Sequence, residues 1–380
     1  MLVPILLALA VGVLFIYSSC FISSDLPVKS FYKKQMVWIA VGLAAYMTAA
    51  LYDYRRAAQW SWAIYALCLV LLVMVLLFGK RIYGARRWLI LPGTGFGLQP
   101  SELAKLATLL FLAQVLSLPD LERGRFRTFA GLMALVGAPL LLVLKQPDLG
   151  TAMVFLPPAM IMMFVGGISG RWLGITVAAG VLAAATVIGA IVLPEVLDVS
   201  EETRERVESL LPLPEYQQER IKVLIWPDRD PLGAGWNKNQ SEIAVGSGGV
   251  WGKGYLNGTQ NILGFLPRSV APTDFIYSVI AEEKGFMGSL FIILLFASIV
   301  VFGMRIATST PDRMGRLLCV GIVSMVFCHV WINIAMTVGL MPITGLPLPL
   351  LSYGGSFVVM TLAALGLLQS VYIRSPRRAA

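Results

Sequence analysis

Apolar runs of about 20 residues, separated by short polar segments, recur along most of the chain. Each is long enough to cross ~30 Å of hydrocarbon as a helix. They lie at 2–20, 35–52, 60–79, 101–118, 129–145, 150–167, 172–193, 286–306, 315–335 and 353–372, and predict ten spanning helices. The pattern defines a single all-α, polytopic membrane domain over 1–380. The first run ends in Ser18-Ser19-Cys20 but lacks a basic segment before it, so it reads as the first span and not as a cleaved lipoprotein leader. Its start at residue 1 points to a truncated or misassigned N-terminus.

One connection breaks the rhythm. Residues 194–274 form a large loop between the seventh and eighth spans, too long for a passive linker in a compact bundle. Its first part, 195–219, sets eight Asp/Glu against Arg204 and Arg206 and reads as a solvated helix and turn. Its second part, 220–268, is rich in glycine and aromatic residues and carries Arg220, Lys222, Arg229, Lys238, Lys253 and Arg268.

Composition narrows the chemistry. Of the 380 residues 57% are hydrophobic and 13% charged, against about 25% charged in ordinary soluble domains. A soluble enzyme is excluded. The four cysteines, at 20, 68, 319 and 328, contain no CxxC pair, and His329 is the sole histidine. Disulfide frameworks, thiolate metal sites and histidine triads are therefore excluded as well. The net charge of +9 reads as topology and not as a nucleic-acid surface. With both termini cytoplasmic, the inner segments hold twelve Lys/Arg and the short outer loops eight. That outer group itself calls for an anionic ligand on the outer face.

Charges at span ends ask for partners or functions. Glu102 and Lys105, three residues apart after Pro100, share a helical face. They form either a neutralising ion pair or a pair that presents Lys105 to an anionic headgroup. Asp148, in Lys145-Gln146-Pro147-Asp148, reads first as a helix cap. Lys253, among the glycines of 246–258, reads either as part of a flexible turn or as a pyrophosphate contact. Asp274, where the long loop re-enters the membrane, is either a cap or a general base. His329, with no neighbouring carboxylate in its span, reads as a hydrogen-bonded packing residue and not as a relay. The prolines of 342–349 exclude regular helix and suit a re-entrant, cavity-lining segment.

Seven stretches carry a further signal: GARRW at 84–88, QPSELAKL at 99–106, KQPDLGTA at 145–152, DPLGAGWNKNQSEIAVGSGG at 230–249, GKGYLNGTQ at 252–260, TDFIYSVIAEEKG at 273–285 and GLPLPLLSYGGS at 345–356. In this order they resemble the SEDS family (shape, elongation, division and sporulation), and the long loop resembles its elongation branch more than its division branch. Two departures stand out. Arg268 replaces an expected acid in a lengthened Leu266–Phe275 segment, and the acidic stretch near 195–212 looks like an insertion.

The resemblance implies a peptidoglycan glycosyltransferase that polymerises lipid II at the outer face of the cytoplasmic membrane and releases undecaprenyl pyrophosphate. Asp274 would be its catalytic base. Arg86, Trp88, Glu102, Lys105, Asp148, Lys253 and Gln260 would be substrate contacts. Basic groups, or a divalent cation such as Mg or Mn, would meet the leaving pyrophosphate. The implied partners are undecaprenyl-linked glycan, a class B penicillin-binding protein docked on spans 286–306 and 315–335, and elongation-complex membrane proteins. A lipid-linked-precursor flippase and a noncatalytic scaffold are the rival readings. The flippase requires charges near the bilayer midplane, and the scaffold needs no interfacial carboxylate.

Overall fold

A computed structural model describes residues 1–21, 26–82, 85–90, 97–197, 199–211, 213–230 and 233–375. Gly84, Pro231 and Leu232 of the quoted motifs, and Arg377 and Arg378 of the charge count, lie outside them. The chain is mostly helical: α1 Leu2–Cys20, α2 Phe31–Leu51, α3 Ser61–Phe78, α4 Pro100–Ser117, α5 Phe126–Lys145, α6 Leu149–Met153, α7 Leu156–Val165 and α8 Gly170–Val196. In the long loop come α9 Glu201–Ser209, α10 Glu215–Ile225 and α11 Ala234–Ser247, followed by α12 Ile276–Ser309, α13 Arg313–Thr337 and α14 Gly355–Arg374.

Every predicted apolar run is helical. Eight of the described helices are long and apolar enough to cross a membrane: α1, α2, α3, α5, α8, α12, α13 and α14. The other two runs depart from the expectation for local reasons. The α4 helix opens with Glu102 and Lys105, which lowers its apolar content. The run at 150–167 is broken into α6 and α7, because Pro157 and Pro158 open α7 and a proline supplies no N–H to a preceding turn.

The long loop is folded, not free. Its acidic part is pinned to its basic part, Glu195 pairing with Arg229 and Glu208 with Lys222 at 2.8 Å, and Glu195 also pairs within the acidic part with Arg204 at 3.0 Å. The α11 helix packs between α12 and α13, where Ser241 Oγ lies 2.7 Å from Ser278 Oγ and donates to the Thr337 carbonyl.

The all-α expectation needs one correction. Strands β1 Lys80–Ile82, β2 Ala85–Ile90 and β3 Gly97–Leu98 form an antiparallel sheet in the order β1-β2-β3, pairing Arg81 with Arg86 and Leu89 with Leu98. Strands this short do not span a membrane; they form a ribbon joining α3 to α4.

The α13 helix is the central post, with 78% of its most apolar stretch buried against α12, α7 and α4. The α14 helix lies along α2, and Gly366 lets the backbone of Tyr46 approach closely. Lipid tails are as apolar as leucine, so this close packing of small residues, and not hydrophobic exclusion, holds the spans together.

The α12 helix begins ten residues before the predicted span and bends at Gly285, whose φ of 63° and ψ of −159° are not helical. Such a break frees backbone groups that must find partners away from water. The glycine-rich loop supplies them. Phe286 and Met287 donate to the carbonyls of Gly249 and Val250 at 2.8 and 3.1 Å, and Lys253 and Gly254 donate to those of Glu282 and Glu283 at 3.0 Å. Gly248 and Gly252 sit against the α12 backbone where a Cβ would collide. These glycines complete a broken helix.

Candidate active site

Asp274 stands in a turn built on one carbonyl. The amides of Thr273, Asp274 and Phe275 all donate to Val270 O, at 3.2, 3.0 and 3.3 Å. The proline-rich segment clamps this turn from the far side. Tyr353 N donates to Pro272 O at 2.8 Å, and Ser352 Oγ donates to Thr273 O. From α13, Asn333 Nδ2 donates both to Asp274 O at 2.9 Å and to Leu346 O at 2.7 Å. The backbone is therefore fixed on three sides, and the half-buried carboxyl faces Gly345.

Its surroundings push the Asp274 carboxyl up to about 6. Loss of solvation is the main cause; Arg220, a hydrogen bond from Thr273 and Arg87 oppose it, while Asp148 adds to it. At neutral pH the group is still mostly ionised, and it is a better proton acceptor than an ordinary aspartate.

Asp148 does more than cap. It accepts from Thr151 N at 3.2 Å, and it also faces the Arg87 guanidinium at 3.6 Å and Gln99 Nε2 at 3.2 Å. Gly150 lets this turn pack against the Thr344 carbonyl, because a Cβ there would come within 2.5 Å of it. The Asp148 turn and the segment facing Asp274 are thereby pressed together.

Below this lies a buried charge pair. Lys105 Nζ is 2.9 Å from Glu102 Oε1 and 2.8 Å from His329 Nε2, and it lies 5.7 Å from the Phe357 ring centroid. Lysine offers only donors, so His329 accepts through Nε2 and carries its proton on Nδ1. The three side chains are 3–5% exposed or less. Both readings of Glu102 and Lys105 survive in part: they pair, and the pair adjoins Asp148, whose charge acts on Glu102. His329 is a hydrogen-bonded packing residue, as expected, and the hydrogen bond is the one that holds the cation.

Asp274, Asp148, Glu102 and Lys105 are thus brought into one cluster. The other predicted contacts go elsewhere. Arg86 turns back to the carbonyls of Leu76 and Leu77, both at 3.2 Å, and caps the end of α3. Trp88 covers Gly97 on β3. Lys253 is held by Glu282 at 2.7 Å and by Thr259, and Gln260 N donates to that same carboxylate at 3.0 Å. Both belong to the knot around the α12 bend. Arg87 takes the place expected for Arg86. The signal for it was strand alternation: neighbours on β2 point to opposite faces, so 86 and 87 cannot both face the cluster. Arg220 and Asn333 were visible only as a loop cation and a polar residue in an apolar span.

Among the described residues no three His, Cys, Asp or Glu side chains come together as a metal site. Asp274, Asp148 and Glu102 each already have a cation acting on them. The described residues thus offer no cage of protein ligands alone for Mg or Mn; an ion held by one or two carboxylates together with substrate phosphates would fall to Asp274 or Asp148.

Fold and site together define a polytopic helical membrane protein with a cation-ringed carboxylate at one end of its bundle. Residues 1–376 match the family described as cell cycle protein, comprising FtsW, RodA and SpoVE, and the chain belongs to that family. The peptidoglycan glycosyltransferase RodA of Treponema pallidum is 33% identical, covering 98% of this chain and 97% of its own. The peptidoglycan glycosyltransferase MrdB of Escherichia coli K12 is 36% identical, covering 88% and 83%. Stage V sporulation protein E of Bacillus subtilis is 35% identical, covering 96% and 94%. Among solved structures, a chain of a peptidoglycan synthase complex that coordinates polymerization and crosslinking matches with TM-score 0.75 at 29% identity, covering 99% of this chain and 97% of that one. The rod shape determining protein RodA of Thermus thermophilus matches with TM-score 0.67 at 26% identity, covering 99% and 96%.

Proposed function

We propose that this chain is an elongation-type peptidoglycan glycosyltransferase that polymerises lipid II, with Asp274 as general base. The observation that carries this reading is the clamped, half-buried Asp274 carboxyl with Arg87 and Arg220 acting on its charge. Asp274 takes the proton of the acceptor's GlcNAc 4-hydroxyl as that oxygen bonds to the anomeric carbon of the donor MurNAc. The bond from that carbon to the phosphate oxygen breaks with inversion, and undecaprenyl pyrophosphate leaves. Arg87 and Arg220 meet the charge that grows on the pyrophosphate. No step requires a metal held by the protein.

The reading includes ten spans, both termini in the cytoplasm and the Asp274 end of the bundle at the outer face of the inner membrane. A class B penicillin-binding protein is the proposed transpeptidase partner, with elongation-complex membrane proteins beside it. The GKG…GTQ form of residues 252–260 supports the elongation branch over the division branch.

Against a flippase stands the placing of the charges. On α13 His329 is four residues, about 6 Å, from Asn333 beside Asp274. The charge cluster thus stays near one end of the bundle, and a transporter needs it at the midplane. Purified protein supplied with lipid II and assayed for glycan chains decides the matter. Chain growth that Asp274→Asn abolishes supports the enzyme, and lipid movement across vesicles without chain growth supports the flippase.

A further inference from the structure

At the opposite end of the bundle three arginines converge on three helix ends. Arg123 donates to the carbonyls of Leu118 and Leu121 at 2.9 and 3.2 Å, closing α4. Arg313 donates to Gly166 O at 2.6 Å, closing α7. Arg316 donates through Nε and Nη2 to Thr310 O at 3.3 and 3.2 Å, closing α12. Arg313 is near enough to be repelled by both Arg123 and Arg316. The backbone joins the elements too, since Ser169 N donates to Arg123 O at 3.3 Å.

Capping alone does not account for this grouping. Carbonyls at helix C-termini carry only partial negative charge, and three full cations gathered on them are under-compensated. Among the described residues none of the three pairs with a carboxylate within 4 Å. Of the nearby acids, Glu122 pairs with Arg125 at 2.7 Å, Asp312 caps α13 while accepting from Tyr54 at 2.8 Å, and Asp120 is exposed and forms no ion pair with the three arginines. Most N–H donors of the three guanidiniums are unused, and Arg123 Nε is buried with no hydrogen-bond partner. Beside the arginines lie exposed apolar side chains, Leu118, Phe126, Phe164 and Val165, where acyl chains would rest.

We propose that Arg123, Arg313 and Arg316 form a binding site for the phosphodiester headgroup of an anionic membrane lipid, on the face of the protein opposite Asp274. A phosphate accepts from guanidiniums bidentately and neutralises the cluster, while the apolar rim takes the chains. That rim favours a lipid over an acidic peptide, which would leave it uncovered. The two ends of α13, Arg313 and Asn333, are about 30 Å apart by helical rise. The site is thus separate from the proposed chemistry and holds whatever reaction Asp274 performs.

The full chain, purified in neutral detergent, is given phosphatidylglycerol, phosphatidylcholine or inorganic phosphate. Lipid retention is read by native mass spectrometry, and the thermal midpoint is read alongside it. Each cation near an anionic headgroup contributes roughly a five-fold preference. The unaltered protein is expected to retain phosphatidylglycerol well over phosphatidylcholine, and to melt higher with it. Arg313→Gln combined with Arg316→Gln is expected to lower that preference about twenty-fold, and to lower the midpoint by a small amount in phosphatidylcholine as well, because the caps on α7 and α12 are lost with it. Equal retention of the two lipids by the unaltered protein overturns the proposal, as does a folded double variant that keeps the preference. Stabilisation by inorganic phosphate equal to that by phosphatidylglycerol makes this a free-anion site and overturns the lipid assignment. Should the double variant fail to fold, the three probes on the unaltered protein still decide.

Discussion

Arg87 and Asp148 face each other at 3.6 Å, and this pair fastens the β ribbon to the turn before α6. Arg87 also donates to the Pro147 carbonyl in that turn. A guanidinium held in this way stays close enough to Asp274 to act on its charge. Arg86, one residue earlier, is spent on the end of α3.

The two arginines should therefore separate in an assay. Arg87→Gln is expected to lower lipid II polymerisation on the order of 10²-fold, the usual loss for one preorganised charge-stabilising donor. Arg86→Gln should stay within a few-fold of the unaltered protein. Glycan chain length and rate on gels give the comparison, and equal losses would return the role to Arg86.

Asp274→Asn retains size and capping ability but no longer accepts a proton. Polymerisation is expected to fall by roughly 10²–10⁴-fold, while lipid II binding persists. The rate of the unaltered protein should rise with pH through an apparent value near 6, where the carboxyl ionises. Stability moves in the opposite direction. A carboxyl raised from 3.8 to about 6 makes the folded state progressively less favourable as pH climbs through that window. Asp274→Asn should melt at or above the unaltered protein at pH 7, and the difference should vanish below about pH 4. A variant that melts lower at pH 7 would contradict the environment described for this group.

Lys105→Met leaves Glu102 buried and unpaired, which typically costs about 3–5 kcal/mol. The yield of folded protein in detergent should drop sharply. Adding Glu102→Gln removes the orphaned charge and should restore much of the thermal midpoint without restoring polymerisation. Restored polymerisation in the double variant would confine this pair to a structural role.

Spans 286–306 and 315–335 are expected to offer the docking face for a partner helix, with small residues such as Gly288, Ser289 and Gly321 in the contact. The structure corrects this for Gly321, which lies against Met162 of α7, while Phe327 and Trp331 leave part of α13 exposed. Ser289, like Gly321, is buried. Gly321→Leu is expected to lower the thermal midpoint with or without a partner, whereas Phe291→Ala or Leu294→Ala, on the exposed side of α12, should leave it nearly unchanged. Co-purification with a penicillin-binding protein lost on the Gly321 change alone, with the midpoint intact, would reinstate the original face.

The sequence disclosed the apolar helices because lipid demands length and apolarity, and both are written locally. It also placed Asp274, Asp148, Glu102 and Lys105 at one depth, since each lies near the same end of a span. What it concealed depended on contacts distant along the chain. Lys253 reads either as part of a flexible turn or as a pyrophosphate contact, because glycines beside a cation have the same composition whether they cradle a ligand or another backbone. Only the bend at Gly285, some 30 residues later, tells these cases apart. Arg86 and Arg87 were indistinguishable until the 85–90 segment proved to be a strand.

The bend at Gly285 also bears on how the chain is made. The carbonyls of Gly249 and Val250, which receive the amides of Phe286 and Met287, are synthesised before the helix that needs them. The loop thus precedes α12 in synthesis and is present when the helix that needs it is completed, in keeping with N-terminal parts folding first. A truncation that ends before Phe286 would have the loop without its helix, whereas deletion of residues 248–254 would commit the helix to the bilayer with its bend unsatisfied. The order of translation therefore matches the order in which the hydrogen bonds can form.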